Sequence, residues 1–182
     1  MSNQRALKIV RTLPYTATYL NGVLTVTTQT AHYLLSNDNI SLHGYRSQAV
    51  MSIANKPVTV VNATSFTIDY LFTDESHALE FLKGIMETSV FRAGVTGRFS
   101  FSLGKTTGSP IVIQSFVIGT GGASYTLDVS LDNEHWTNVA TVTHIGTTGD
   151  TQSAQIAPVW VYGSIDITSI GAATSLTILH SV

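Results

Sequence analysis

Residues 125–142 read YTLDVSLDNEHWTNVATV. Tyr125, Leu127, Val129 and Leu131 alternate with Thr126, Asp128 and Ser130. A period of two turns one face toward a core and the other toward water, as in a half-buried strand. Asp132 and Asn133 follow, residue types that tolerate a tight turn. Trp136, Val139 and Val142 supply apolar side chains to the returning strand. The stretch predicts a β-hairpin with a large indole near its turn. Asp128 falls on the outward face, with water as its expected neighbour. The hairpin fixes an architecture and names no reaction.

On either side of it, further strands are predicted at Ile111–Ile118, Asn138–Thr143, Ala157–Ile167 and Ser175–His180. No helical pattern lies among them, which points to a small antiparallel β-sandwich over residues 110–182. His144–Gln155, HIGTTGDTQSAQ, reads as a long polar loop. In Ala157–Tyr162, alternation pairs Trp160 with Tyr162 on one face and Val159 with Val161 on the other. At least one of Trp136 and Trp160 is expected in the core. Gly104–Pro110, GKTTGSP, reads as a linker.

The front part, residues 1–104, is also mostly strand. Tyr15–Leu20 and Val23–Thr28 flank Asn21-Gly22, a strong hairpin signal. Ile40–His43, Val58–Val61, Ser65–Phe72 and Val90–Leu103 follow, with Phe99 and Phe101 opposite Ser100 and Ser102. Residues 1–14, which carry Arg5, Lys8 and Arg11, read as an extended arm. One helix is expected over about 74–88. Thr73 would cap it, Asp74 and Glu75 would suit its first turn, and Ala78, Phe81, Leu82 and Ile85 would form its apolar stripe. The fold class is therefore mainly β, with one helix in the N-terminal domain.

Of 182 residues only 11% are charged, against ~25% in ordinary soluble domains. Threonine (26) and serine (19) replace the missing charge. Such a surface has few ions to desolvate on contact, which suits a protein that covers itself with neighbours. All nine Lys and Arg lie at or before Lys105, where six acids give a balance of +3. Residues 106–182 hold five acids and no cation, a balance of −5. That step supports a domain boundary near Lys105, and nucleic acid is not an expected partner. There is no cysteine, so disulfides and thiolate metal sites are excluded. No apolar run reaches the ~18 residues of a membrane span. The opening MSNQRALKIVRTLPY lacks a secretory core, so synthesis in a cytoplasm is expected.

The six histidines show no metal-ligand spacing, and no GxSxG or GxxxxGK[ST] is present. Gly119-Thr120-Gly121-Gly122 reads as a strand connection. Catalytic, cofactor and metal residues are all expected to be absent.

Two stretches carry resemblances. Residues 125–139, with Ser130, Asp132, Trp136, Thr137 and Val139, resemble the strand-turn-strand of discoidin-like, or galactose-binding-like, β-sandwiches. Asn133 stands where that family usually has Gly. VWVYGSIDIT resembles the family's long C-terminal strand, without the arginine often found in it. Residues 22–70 are similar to a small β module of tailed-bacteriophage virion proteins. The match runs through Thr25-Val26-Thr27-Thr28, Ala31-His32, Asp38, Ile40, Leu42 and Gly44, then Asn55, Val58-Thr59-Val60 and Thr64-Ser65-Phe66-Thr67-Ile68. The resemblances imply a non-enzymatic virion protein, present in many copies. It would decorate or cement a capsid by binding the major capsid protein. A tail or head–tail connector component is the alternative, and a carbohydrate-binding module for host attachment is another. The expected contact residues are Trp136, Trp160, Arg5, Lys8 and Arg11, with the basic arm and front domain docking on the shell.

Overall fold

The computed structural model describes residues 6–44, 52–72, 79, 81–103, 110–146 and 148–181. It is mainly β, in antiparallel sheets, with sixteen strands among these residues. The chain divides into two compact units, Val10–Thr88 and Met1–Ile9 with Ser89–Val182.

The first unit contains β2 (Arg11–Leu20), β3 (Val23–Thr28), β4 (Asn39–Gly44), β5 (Ser52–Pro57), β6 (Thr59–Val60), β7 (Ser65–Asp69) and β8 (Lys83–Thr88). They form one sheet in the order β5-β4-β8-β2-β3-β7-β6. Its two outermost strands are separated in sequence by Val58 alone, so the sheet returns on itself as a barrel. The Val58 amide donates to the Asp38 carbonyl, and the Asn37 amide donates to the Val58 carbonyl. Strand alternation sends Tyr15, Leu24, Val26, Ile40, Leu42, Phe66, Ile68 and Met86 into one buried cluster. Asn21 and Gly22 both take positive φ, 50° and 83°, as a two-residue hairpin turn requires.

The second unit contains β1 (Ala6–Lys8), β9 (Phe91–Arg92), β10 (Gly97–Ser102), β11 (Ile111–Ile118), β12 (Ala123–Ser130), β13 (Thr137–His144), β14 (Thr151–Ile156), β15 (Tyr162–Ile170) and β16 (Ser175–Ser181). One sheet runs β1-β16-β11-β14, with β9 sharing the β1 edge of β16; the other runs β10-β15-β12-β13. Ile113, Val117, Leu176 and Ile178 of the first sheet cluster with Tyr125, Leu127, Val129, Ile165 and Ile167 of the second. This is a β-sandwich. The hairpin read from residues 125–142 is β12 and β13, with Thr126 opposite Thr141 and a bulge between Leu127 and Asp128.

Four expectations are corrected. Residues 83–88 are the strand β8, held between β2 and β4, and not the end of a helix. Leu79 alone among the described residues is helical; residues 73–78 and 80 lie outside them. In KGIMET, Gly84, Met86 and Thr88 face inward, and backbone pairing on both edges overrides the helical spacing. The units also do not divide near Lys105: β1, β9 and β10 belong to the sandwich. The arm is not free, because β1 pairs β16 and β2 begins at Arg11. Within the supposed polar loop, Thr151–Ile156 is an edge strand on β11.

Two of the three buried histidines, His32 and His180, are expected to make the fold acid-sensitive. His32 accepts the Leu34 amide at Nδ1 (3.0 Å), so its proton sits on Nε2, facing the Ser65 carbonyl. Burial lowers its pKa, with the Arg11 charge adding to that and two backbone carbonyls opposing it. Burial likewise lowers that of His180, whose ring lies 5.1 Å from Phe101. The unfolded chain therefore takes up protons near pH 6.5 that the native state refuses. Stability is expected to be level above about pH 7 and to fall as pH drops through 6.5. Urea midpoints measured from pH 8 to pH 5 check this; a midpoint rising toward pH 5 would contradict it.

Candidate functional site

The outer face of the β10-β15-β12-β13 sheet gathers more chemistry than any other face of the sandwich. Register places Ser100, Ser164 and Asp128 side by side across β10, β15 and β12, with Asn138 next on β13. Arg98 and Asp166 face each other one step along. Asp128 points outward, as alternation predicts, yet it is only 6% exposed. The reason is a roof of side chains. Arg98 crosses above β15 to reach Asp128 Oδ2 at 2.8 Å, and Asn138 Nδ2 donates to Asp128 Oδ1 at 2.9 Å. The Arg98 guanidinium lies 5.1 Å from the Trp136 ring centroid, a cation–π stack. Beneath this roof, Ser164 is fully buried and its Oγ has no hydrogen-bond partner among the described residues.

The turn that delivers Trp136 is built by its own side chains. Ser130 Oγ accepts the Asn133 amide and donates to Asp132 Oδ1, which also accepts the Glu134 and His135 amides. His135 Nδ1 lies 2.7 Å from Asp132 Oδ2. The His135 amide and imidazole, the Glu134 amide and the Ser130 hydroxyl hold Asp132 far below the ordinary carboxylate range. Asn133 sits at φ 65°, a left-handed conformation that asparagine tolerates better than most residues.

A second constellation spans the interior of the sandwich. Tyr125 of β12 donates to Ser115 Oγ of β11 at 2.9 Å, and Ser115 Oγ lies 2.9 Å from His144 Nε2. The hydroxyl accepts from Tyr125 and keeps both a proton and a second lone pair for Nε2, while the other ring nitrogen, Nδ1, faces Asp150. Asp150 Oδ2 is 3.2 Å from that Nδ1, a close charge contact out of line for a hydrogen bond. Burial works against the Asp150 carboxylate, but the Ile145 amide, Gln152 and His144 bring its pKa below the usual value. The order Asp–His–Ser is that of a nucleophile relay. Here Ser115, His144 and Tyr125 are all buried, so no substrate can approach the hydroxyl in this conformation. The arrangement ties one sheet to the other.

The expected contact residues scatter. Trp136 belongs to the outer-face site. Trp160 is partly buried against the sandwich core, in a turn before β15 and outside any strand. Lys8 is exposed on β1. Arg5 lies outside the described residues. Arg11 cannot serve as a docking cation: it is buried and donates to the His32 carbonyl. Burial lowers its pKa to about 10, against the pull of Asp38 and Tyr33. Arg98 and Asp166 were not singled out from the sequence. The signal was present in GRFSFS, where alternation sets Arg98 beside Ser100 and Ser102, opposite Phe99 and Phe101.

A cleft of about 600 Å³ lies in the barrel unit, lined by Pro14, Thr16, Thr27, Gln29 and Lys83 among others. No group of three or more metal-ligating side chains occurs among the described residues. No family model matches the chain, and no curated protein matches it either.

Proposed function

We propose that this chain is a non-enzymatic structural protein of a tailed-bacteriophage particle, a capsid decoration protein that docks on repeated copies of a major capsid protein. The observation that carries the reading is the neutral hydroxyl face of the barrel. Thr18, Thr25, Thr67 and Thr59 stand in one row across β2, β3, β7 and β6. Thr16, Thr27 and Ser65 form the next row. Strands lie about 4.8 Å apart, so the rows make a dense lattice of small donors and acceptors. Lys83 and Asp69 stand at the margins of this face; between them it can meet a partner without stripping water from ions. The charged and nucleophilic groups support the same reading, since Arg11, Asp128, His144 and Asp150 are all engaged within the chain. The similarity of residues 22–70 to a virion β module supplies the particle. Docking is assigned to the barrel face and not to a basic arm.

The test is co-sedimentation of the purified chain with capsid shells that lack it. Saturable binding is expected, lost when Thr18, Thr25 and Thr67 are replaced together by lysine. Binding to isolated tails and not to shells would move the protein to the tail. Sedimentation with neither would overturn the reading.

A further inference from the structure

We infer that the cleft in the barrel receives an extended segment of the capsid protein that carries a single carboxylate, and that Lys83 is the group that meets it. The inference rests on the docking reading and deepens it, since it says what the partner must present.

Its first support is position. Thr16 and Thr27 line the cleft and also stand in the second hydroxyl row. Lys83 lines it too and pairs with Thr16 from the other side. The row therefore runs Lys83, Thr16, Thr27, Ser65 across β8, β2, β3 and β7. Lys83, Thr16 and Thr27 are all exposed, so the cleft opens on the face assigned to docking. At about 600 Å³ it has room for a short run of chain.

The second support is charge. Lys83 is the one charged residue of the lining. Its ammonium forms no ion pair among the described residues. Glu87 stands four residues on along β8, about 13 Å away, and is engaged by His43 at 3.1 Å. Asp69 belongs to another row, opposite Val23. The rest of the lining is neutral: the hydroxyls of Thr16 and Thr27 and the carboxamide of Gln29 suit the amides and carbonyls of an extended segment. One unpaired cation in a neutral cleft selects one anionic group. A nucleic-acid backbone or an anionic membrane is held by several cations together. Here Lys56 lies over the Tyr70 ring and Arg11 is buried, so Lys83 acts alone. An Asp or Glu side chain of a protein is the anion that fits.

The experiment is co-sedimentation of the full chain and its variants with DNA-free shells. The complex is then treated with a carbodiimide, which joins an amine to a carboxylate in contact with it. Lys83→Glu is expected to weaken shell binding by about tenfold or more, and Lys83→Arg by less than about threefold. Raising the salt concentration should weaken the wild-type complex more than that of Lys83→Met. Mass spectrometry should find Lys83 coupled to an Asp or Glu of the capsid protein. Lys83 is exposed, so these variants leave the barrel core intact. If the wild-type chain sediments with shells, equal binding by Lys83→Glu, or coupling through other lysines alone, would overturn the inference and leave the docking reading standing. A wild-type chain that does not sediment with shells would overturn both. Lys83-dependent dimers of the chain alone would place a second copy in the cleft. Lys83-dependent binding to vesicles of anionic phospholipid would place a phosphate there. Either result would also overturn the inference.

Discussion

Replacing His144 by alanine is expected to lower stability by about 3 kcal/mol, one of the largest single losses available in the sandwich. Two costs add. The Ser115 hydroxyl loses its imidazole partner inside the core, and a stranded buried polar group costs about 1–3 kcal/mol. The vanished ring leaves a void that close-packed neighbours fill only in part, at ~24 cal/mol per Å³. Ser115→Ala leaves a smaller void, but it strands the buried Tyr125 hydroxyl and His144 Nε2, so its cost is expected to be of the same order. The pair should be strongly non-additive: once Ser115 is alanine, His144→Ala loses part of its effect. Urea denaturation of the two single variants and the double variant measures this directly. Additive losses would mean that the hydroxyl and the imidazole do not act as a unit. The same sealed geometry predicts that a serine-directed phosphonate probe does not label Ser115 in the native protein. Labelling would show that the relay opens to solvent.

Gly171→Ala is expected to cost about as much, for a purely steric reason. A β-carbon there would lie 2.1 Å from the Gly121 carbonyl oxygen and 2.4 Å from its α-carbon. Both obstacles are backbone, so no side chain can swing aside. The two connections cross at this point, tied by the Gly171 amide donating to the Gly122 carbonyl and the Gly121 amide donating to Thr174 Oγ1 at 2.8 Å. Overpacking usually costs about 1–3 kcal/mol, and the upper end applies where the backbone must yield. Gly149→Ala is the instructive contrast. Nothing lies within 4 Å of its β-carbon position, but its φ is 87°. That variant pays only the left-handed penalty of about 1–2 kcal/mol. Thermal melts of both variants should rank Gly171→Ala as the worse; the reverse order would place the strain in the torsion and not in the crossing.

These glycines show what could be read in the sequence and what could not. That Gly119-Thr120-Gly121-Gly122 connects two strands was legible, because glycine clusters between apolar runs mark turns. That Gly121 needs Gly171 fifty residues away was not, since no local pattern records a close approach of two distant backbones. The two strands and the turn of residues 125–142 were legible, because alternation and turn residues agree, but Leu131 and Val139, expected on the apolar face, are exposed. The helix expected over 74–88 failed at Lys83–Thr88, where apolar residues fit two periods and only the pairing partners decide between them. β14 escaped notice because it is an edge strand of small polar residues, TQSAQ, with Ile156 as its one large apolar side chain. The outer-face site was half legible. Trp136 and the outward Asp128 could be placed from alternation, but the Arg98 that roofs them comes from a strand nearly thirty residues earlier. The step in charge near Lys105 was real as composition and misleading as a boundary, since Arg92 and Arg98 sit within the sandwich unit.

The pairing of β1 with β16 makes the barrel a cassette. The chain leaves the sandwich after Ile9, whose amide donates to the Ile178 carbonyl, and is back by Phe91, which pairs with Leu176. Those two anchor points are two residues apart along one strand, about 7 Å. Departure and return thus share a single doorway. A short loop could span it and leave a sandwich with every strand in its original order, and a different module could be spliced in its place. The architecture allows the barrel to be exchanged without rethreading the part that remains.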